Sequence, residues 1–179
     1  VGCAGGIDTT VEFHYTEEDV CDDFCYEEVF VKDAMGGHSG DDINKGRANA
    51  VKLLGGFLFS CRDLDWQLVS INGGNKRNAI AREAKALIAA EQDTLDIINE
   101  RLEAYAEAVA EEYGAIETAL NLGFTEVEVS GVKAIDEMTA WNLIAGIAAA
   151  PHGVLAMSQT MENFVETSTN LASVKMVEP

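Results

Sequence analysis

The sequence predicts an α+β fold: a two-layer sandwich whose antiparallel sheet follows a β-α-β-β-α-β order with the helices on one face, plus an extra helix and terminal strands. Three observations lead there. Short runs alternate apolar and polar residues with the period of a half-buried strand. Longer stretches repeat their apolar residues every three or four positions, the stripe of an amphipathic helix. The middle of the chain orders these as strand, helix, strand, strand, helix, strand, which layer logic folds into a sheet covered on one side. A length of 179 residues suits a single domain, with a core at about 25–130 and an annex at 1–24 and 131–179.

Taken in order, Thr9–Tyr15 alternates Val11, Phe13 and Tyr15 with Glu12 and His14 and predicts a strand. From Glu12 to Glu28 there are eight acidic residues and no Lys or Arg, which predicts a solvated hairpin region. Tyr26–Lys32 predicts the next strand, ended by the loop Gly36-Gly37-His38-Ser39-Gly40. Asp41 or Asp42 is placed to cap a helix reaching Cys61, with Ile43, Arg47, Val51, Leu54 and Leu58 on one stripe. Gly46, Gly55 and Gly56 inside that helix each cost about 1 kcal/mol relative to alanine. Close approach of another backbone is the expected compensation, and a symmetry mate across a two-fold axis is the expected neighbour.

Asp65–Ile71 and Glu83–Ala90 predict two strands joined through Asn72-Gly73-Gly74-Asn75 and the segment Lys76–Arg82. Leu95, Ile98, Leu102, Tyr105, Val109 and Tyr113 give the clearest helical stripe, and Gly114 is its stop. Thr125–Val129 predicts a strand, Ala134–Ala150 a helix ended by Pro151, and Asn163–Val177 an extended region.

Twelve Lys and Arg stand against 31 Asp and Glu, a formal charge of −19. Phosphate neutralisation needs clustered cations, so nucleic acid and anionic membrane surfaces are excluded as partners. No apolar run approaches the roughly 18 residues of a membrane span. Cys3, Cys21, Cys25 and Cys61 follow no secretory signal pattern and read as cytoplasmic thiols used as small buried or half-buried hydrophobes. Cys21 and Cys25 lack the second ligand pair that a zinc site needs, so no metal ligand is assigned. The chain opens Val-Gly-Cys-Ala-Gly-Gly without Met, as an excised piece would.

Chemistry concentrates in two loops. His38 has glycines on both sides, Gly36-Gly37 and Gly40, that let the backbone turn sharply and leave the ring accessible, whereas His14 and His152 read as structural. Asn72–Ile80 is a polar, basic, glycine-containing link. Nine of the twelve basic residues lie between Lys32 and Lys85, the interval holding both loops, which suits an anion such as a substrate carboxylate. No His-Glu-x-x-His or Gly-x-Ser-x-Gly is present, so no complete metal site or nucleophile triad is expected.

Three segments carry a family resemblance: Gly36–Ala50 (GGHSGDDINKGRANA), Asn72–Ala84 (NGGNKRNAIAREA) and Val165–Leu171 (VETSTNL). Together they resemble the lid or dimerisation domain of the aminoacyl-histidine dipeptidase family, in the dinuclear-zinc superfamily of carnosinase and aminoacylase. The resemblance covers essentially the whole chain. It departs at Ala81, where the family commonly has proline.

The resemblance implies a homodimeric, cytoplasmic parent enzyme that hydrolyses Xaa-His dipeptides, with two zinc ions in a catalytic domain outside this chain. It assigns His38 the stabilisation of the oxyanion in the partner subunit's site, and Asn78 a hydrogen bond to substrate. For the substrate carboxylate the nearby Arg47, Arg77 and Arg82 are the candidates. The fragment alone is expected to be inactive and to hold no cofactor. The rival reading, from a different class, is a free-standing α+β ligand-sensing or assembly module.

Overall fold

The computed structural model describes residues 5–177. In chain order the elements are β1 (Glu17–Asp19), β2 (Cys25–Lys32), β3 (Gly37–His38), α1 (Ala50–Ser60), β4 (Gln67–Gly73), β5 (Ala79–Ile80), β6 (Ala84–Ala90) and α2 (Gln92–Tyr113). They continue with β7 (Asn121–Glu126), β8 (Lys133–Ile135), α3 (Glu137–Ala149), β9 (Gly153–Met157) and β10 (Val165–Thr169).

The central sheet has the order β4-β6-β2-β7 and is antiparallel throughout. This is the α+β sandwich expected from the sequence, with β2, α1, β4, β6, α2 and β7 supplying its β-α-β-β-α-β core. Alternation along β2 turns Glu27, Val29 and Val31 inward, where Val29, Ile88, Leu54, Leu95 and Ile98 are all at most 1% exposed. Each such Leu or Ile contributes about 1.5–3 kcal/mol by leaving water. The helical stripe of α2 is realised through buried Leu95, Ile98, Leu102 and Val109. Three further two-stranded sheets, β1 with β8, β3 with β5 and β9 with β10, lie outside the central sheet.

Several elements differ from expectation. Residues 9–15 form no strand: without a neighbouring strand, alternation has nothing to pair with, and the short β1 further on pairs with β8 instead. The first helix begins at Ala50, because Gly46 has φ +67, a conformation that a right-handed helix cannot include. Asn49 rather than Asp41 or Asp42 is its cap, accepting from the Val51 and Lys52 amides at 3.0 and 3.2 Å.

The glycines of α1 do admit a close neighbour, but it belongs to the same chain. A Cβ on Gly55 would overlap Ile147 of α3, and Gly56 lies beneath the Tyr105 hydroxyl. With Val51, Leu53, Leu54, Phe57 and Leu58 also buried, this helix is internal rather than a face for a symmetry mate.

β7 lies earlier than expected because pairing with β2 sets its register, with Phe30 stacked over Gly123. β8, β9 and the tiny β3 and β5 are additions. Cys61 is buried, whereas Cys21 and Cys25 are exposed, contrary to the buried or half-buried state expected of the thiols; Cys3 and the opening Val1–Ala4 lie outside the described residues.

Candidate functional site

The two loops singled out in the sequence meet as a miniature sheet. β3 pairs with β5, so that His38 is opposite Ala79 and Gly37 opposite Ile80, and the Ser39 amide donates to the Asn78 carbonyl at 3.0 Å. The third motif joins them: Asn170, just past β10, donates its side-chain amide to the Ala79 carbonyl at 2.9 Å. Segments far apart in the chain, Asn170 lying 91 residues beyond Ala79, are thus fixed to one rim. His38 and Asn78 are both exposed there.

Glycine is required where the first loop turns. Gly36 and Gly37 have φ +63 and +140, and a Cβ on either would strike side chains packed below, Arg82 in the first case and Arg47 with Asp42 in the second. Beneath them Asp42 organises the turn. Its carboxylate accepts the His38 amide at 2.8 Å and the Lys45 ammonium at 2.5 Å, and pairs with Arg47 at 3.2 Å. The Lys45 hydrogen bond, followed by the His38 amide, holds the Asp42 carboxyl below its ordinary range.

Both ends of the His38 loop converge on one carboxylate. Glu117, just beyond α2 and 5% exposed, accepts the Met35 amide at 2.7 Å with one oxygen and the Ala48 amide at 2.9 Å with the other. It thereby satisfies two loop donors that would otherwise be costly to bury. Neither Asp42 in this role nor Glu117 was legible as a site residue. Asp42 resembles a helix cap in sequence, and Glu117 resembles one more acid of an acidic helix.

The three arginines differ in what they touch. Arg47 donates to the Gly36 carbonyl at 2.6 Å besides pairing with Asp42, and its side chain is only 17% exposed. Arg82 donates to the Ala34 carbonyl at 3.0 Å and packs under Gly36. Arg77, beside Asn78, is 82% exposed and paired with Asp8. Arg47 and Arg82 therefore hold the His38 loop in shape, although Arg82 stays exposed, and Arg77 is bonded away from it to Asp8.

The C-terminal segment closes the second loop from behind. Gly73 and Val174 exchange backbone hydrogen bonds at 2.9 Å, and Asn72 accepts the Met176 amide at 3.1 Å. Ala81, where the family resemblance expects proline, is buried and accepts the Ala50 amide at 2.9 Å.

Among the described residues no group of three or more His, Cys, Asp or Glu side chains converges as a metal site requires. The described side chains therefore do not fit the two zinc ions that the family resemblance implies for the parent enzyme.

The site is thus a β-α-β-β-α-β sandwich whose rim presents a glycine-flanked histidine. Residues 31–116 match the family model of the peptidase dimerisation domain. The chain is 37% identical over 179 residues to the cytosol non-specific dipeptidase of Escherichia coli (strain K12), covering 99% of this chain and 37% of that protein. It superposes on the crystal structure of aminoacylhistidine dipeptidase from Vibrio alginolyticus with a TM-score of 0.88 at 36% identity, covering 93% of this chain and 34% of that one. The chain thus spans little more than a third of the length of either relative. The resemblance read from the three motifs and the fold class both stand.

Proposed function

We propose that this chain is the dimerisation and substrate-capping lid of a cytoplasmic, zinc-dependent dipeptidase that hydrolyses Xaa-His dipeptides, and that His38 acts in the active site of the partner subunit. The observation that carries the reading is the joining of the His38, Asn78 and Asn170 segments into one rim, far in sequence yet bonded to each other, with no metal cluster beside it among the described residues. A rim of donors without a reaction centre is useful only when it closes over a centre held elsewhere.

In this reading the zinc ions, when bound in the catalytic domain outside this chain, would supply the activated water, and this chain's residues would bind and orient the substrate. His38 then donates a hydrogen bond to the scissile carbonyl oxygen as negative charge develops, and Asn78 orients the substrate. Arg77 is the candidate for the substrate carboxylate, since Arg47 and Arg82 spend donors on loop carbonyls. Dimerisation is assigned to the edge of β7, which ends the central sheet and leaves backbone groups open for pairing.

The test is subunit exchange in the full-length enzyme. A His38→Ala variant and a variant with a destroyed zinc site, each nearly inactive alone, should regain activity when mixed, because one site of the hybrid dimer combines intact zinc with an intact His38. Activity no higher than the sum of the two, with exchange verified by mass, would defeat the trans assignment. The name of the Escherichia coli relative favours a second reading on substrate, a broad dipeptidase; equal kcat/KM for Xaa-His and Xaa-Ala peptides would select it.

A further inference from the structure

The His38 ring is held at one nitrogen. The Gly40 amide donates to Nδ1 at 3.0 Å and the Asp41 amide faces the same atom at 3.3 Å. Two N–H donors aimed at one ring nitrogen require a lone pair there, which leaves the proton of the neutral ring on Nε2. The loop places those two amides through Asp42: its carboxylate binds the His38 amide, its own amide donates to the His38 carbonyl at 2.9 Å, and Lys45 and Arg47 hold the carboxylate from the other side. The Asp41 carboxylate, 90% exposed, lies 3.8 Å from Nδ1 and would favour a proton on that nitrogen, so the backbone amides and the Asp41 side chain oppose one another.

We infer that Asp42 is a positioning residue that, together with the Gly40 and Asp41 amides, fixes His38 as the Nε2–H tautomer and presents that N–H outward as a hydrogen-bond donor. This deepens the proposed function and rests on it for its catalytic meaning, since an oxyanion needs a donor already pointed at it. The tautomer itself rests on the loop alone. Nδ1 is occupied as an acceptor, whereas no side chain or backbone group among the described residues engages Nε2. About half of the ring is open to solvent.

The experiment has two arms. In the first, ¹⁵N-labelled chain at about pH 8, above the ordinary imidazole range, is studied by long-range ¹H–¹⁵N correlation. His38 should show a protonated Nε2 and an acceptor Nδ1 coupled through the hydrogen bond to the Gly40 amide. Asp42→Ala should weaken that coupling and mix the tautomers, whereas Asp42→Asn, which retains an acceptor oxygen, should largely preserve both. A proton on Nδ1 in the parent chain, or a spectrum unchanged in Asp42→Ala, would overturn the inference. If Asp42→Ala does not fold, Asp42→Asn together with the parent spectrum still decides the tautomer.

The second arm measures kcat in the full-length enzyme. Asp42→Ala should lower it by about 10–100-fold with little change in KM, through misplacement of the donor, and Asp42→Asn should recover most of it. A normal kcat in Asp42→Ala beside a depressed one in His38→Ala would overturn the positioning role. The expected spectrum beside a normal kcat in His38→Ala would instead sink the assigned role of His38 and leave the tautomer assignment supported.

Discussion

Two histidines in this chain accept backbone amides at Nδ1, and they do opposite things. At the rim, His38 takes the Gly40 amide and keeps half of its surface in solvent. At the junction of α1, α3 and β10, His152 faces the Leu171 amide at 3.4 Å and the Asn49 side-chain nitrogen at 3.3 Å, and is half-buried. Around it Asn49 also donates to the Leu171 carbonyl at 2.8 Å, and Lys52 donates to the carbonyls of Ile147, Ala148 and Ala150 at the end of α3. Burial, followed by the charge of Lys52, pushes the His152 ring below its ordinary value. The same local hydrogen bond therefore makes a brace where the ring is enclosed and a presented donor where the other nitrogen is open.

The sharpest way to break this contrast is to remove each ring. His38→Ala should lower kcat of the full-length enzyme by about 10²–10³, the usual loss for one oxyanion donor, with an unchanged melting temperature. His152→Ala should do the reverse, lowering stability while sparing kcat. A stability loss in the first, or a kcat loss without one in the second, would erase the distinction.

Next in size is Asn49→Ala. It deletes a helix cap and a buried link to Leu171 at a residue only 3% exposed, and should cost about 2–3 kcal/mol in urea unfolding. A value below about 0.5 kcal/mol would mean that the junction is held by packing alone.

A pH series sharpens the comparison further. The folded state holds His152 neutral below its ordinary 6.5, so the unfolded chain binds the extra proton first. The stability tied to this group is intact above pH 6.5 and is lost as pH falls through the lower folded value, with a slope of at most about 1.4 kcal/mol per pH unit. His152→Gln should flatten that slope.

Glu27 supplies the opposite sign. Burial, partly offset by the Asn99 amide and reinforced by Glu126 and Asp96, raises its carboxyl above the ordinary 4.5. Its contribution is therefore full below pH 4.5 and is lost as pH rises through the higher folded value. Glu27→Gln should remove that descent and leave the His152 slope in place.

The smallest effect belongs to Arg77→Ala. Its ion pair with Asp8 is exposed on both sides, so stability should change by less than about 0.5 kcal/mol. A raised KM with normal folding would tie Arg77 to substrate, and an unchanged KM would remove it from the site.

Much of this was legible before any fold was known. The stripe of Leu95, Ile98, Leu102 and Val109 and the alternation in Tyr26–Lys32 gave their elements because one buried face imposes its period on the residues that form it. The glycines around His38 marked an accessible turn for an equally local reason: only residues without a Cβ tolerate those backbone angles above packed side chains.

What the tertiary structure alone decided are the relations between distant residues. Alternation at Thr9–Tyr15 could not reveal that no strand would pair with it. The stripe from Ile43 onward could not reveal that Gly46 turns with positive φ and leaves Asn49 to begin the helix. Asp42, Glu117 and Asn170 are ordinary polar residues until the fold sets them against the His38 loop and Ala79. Periodicity and backbone freedom are properties of neighbours in the chain, whereas a carboxylate that holds both ends of a loop exists only once α2 has packed and carried it there.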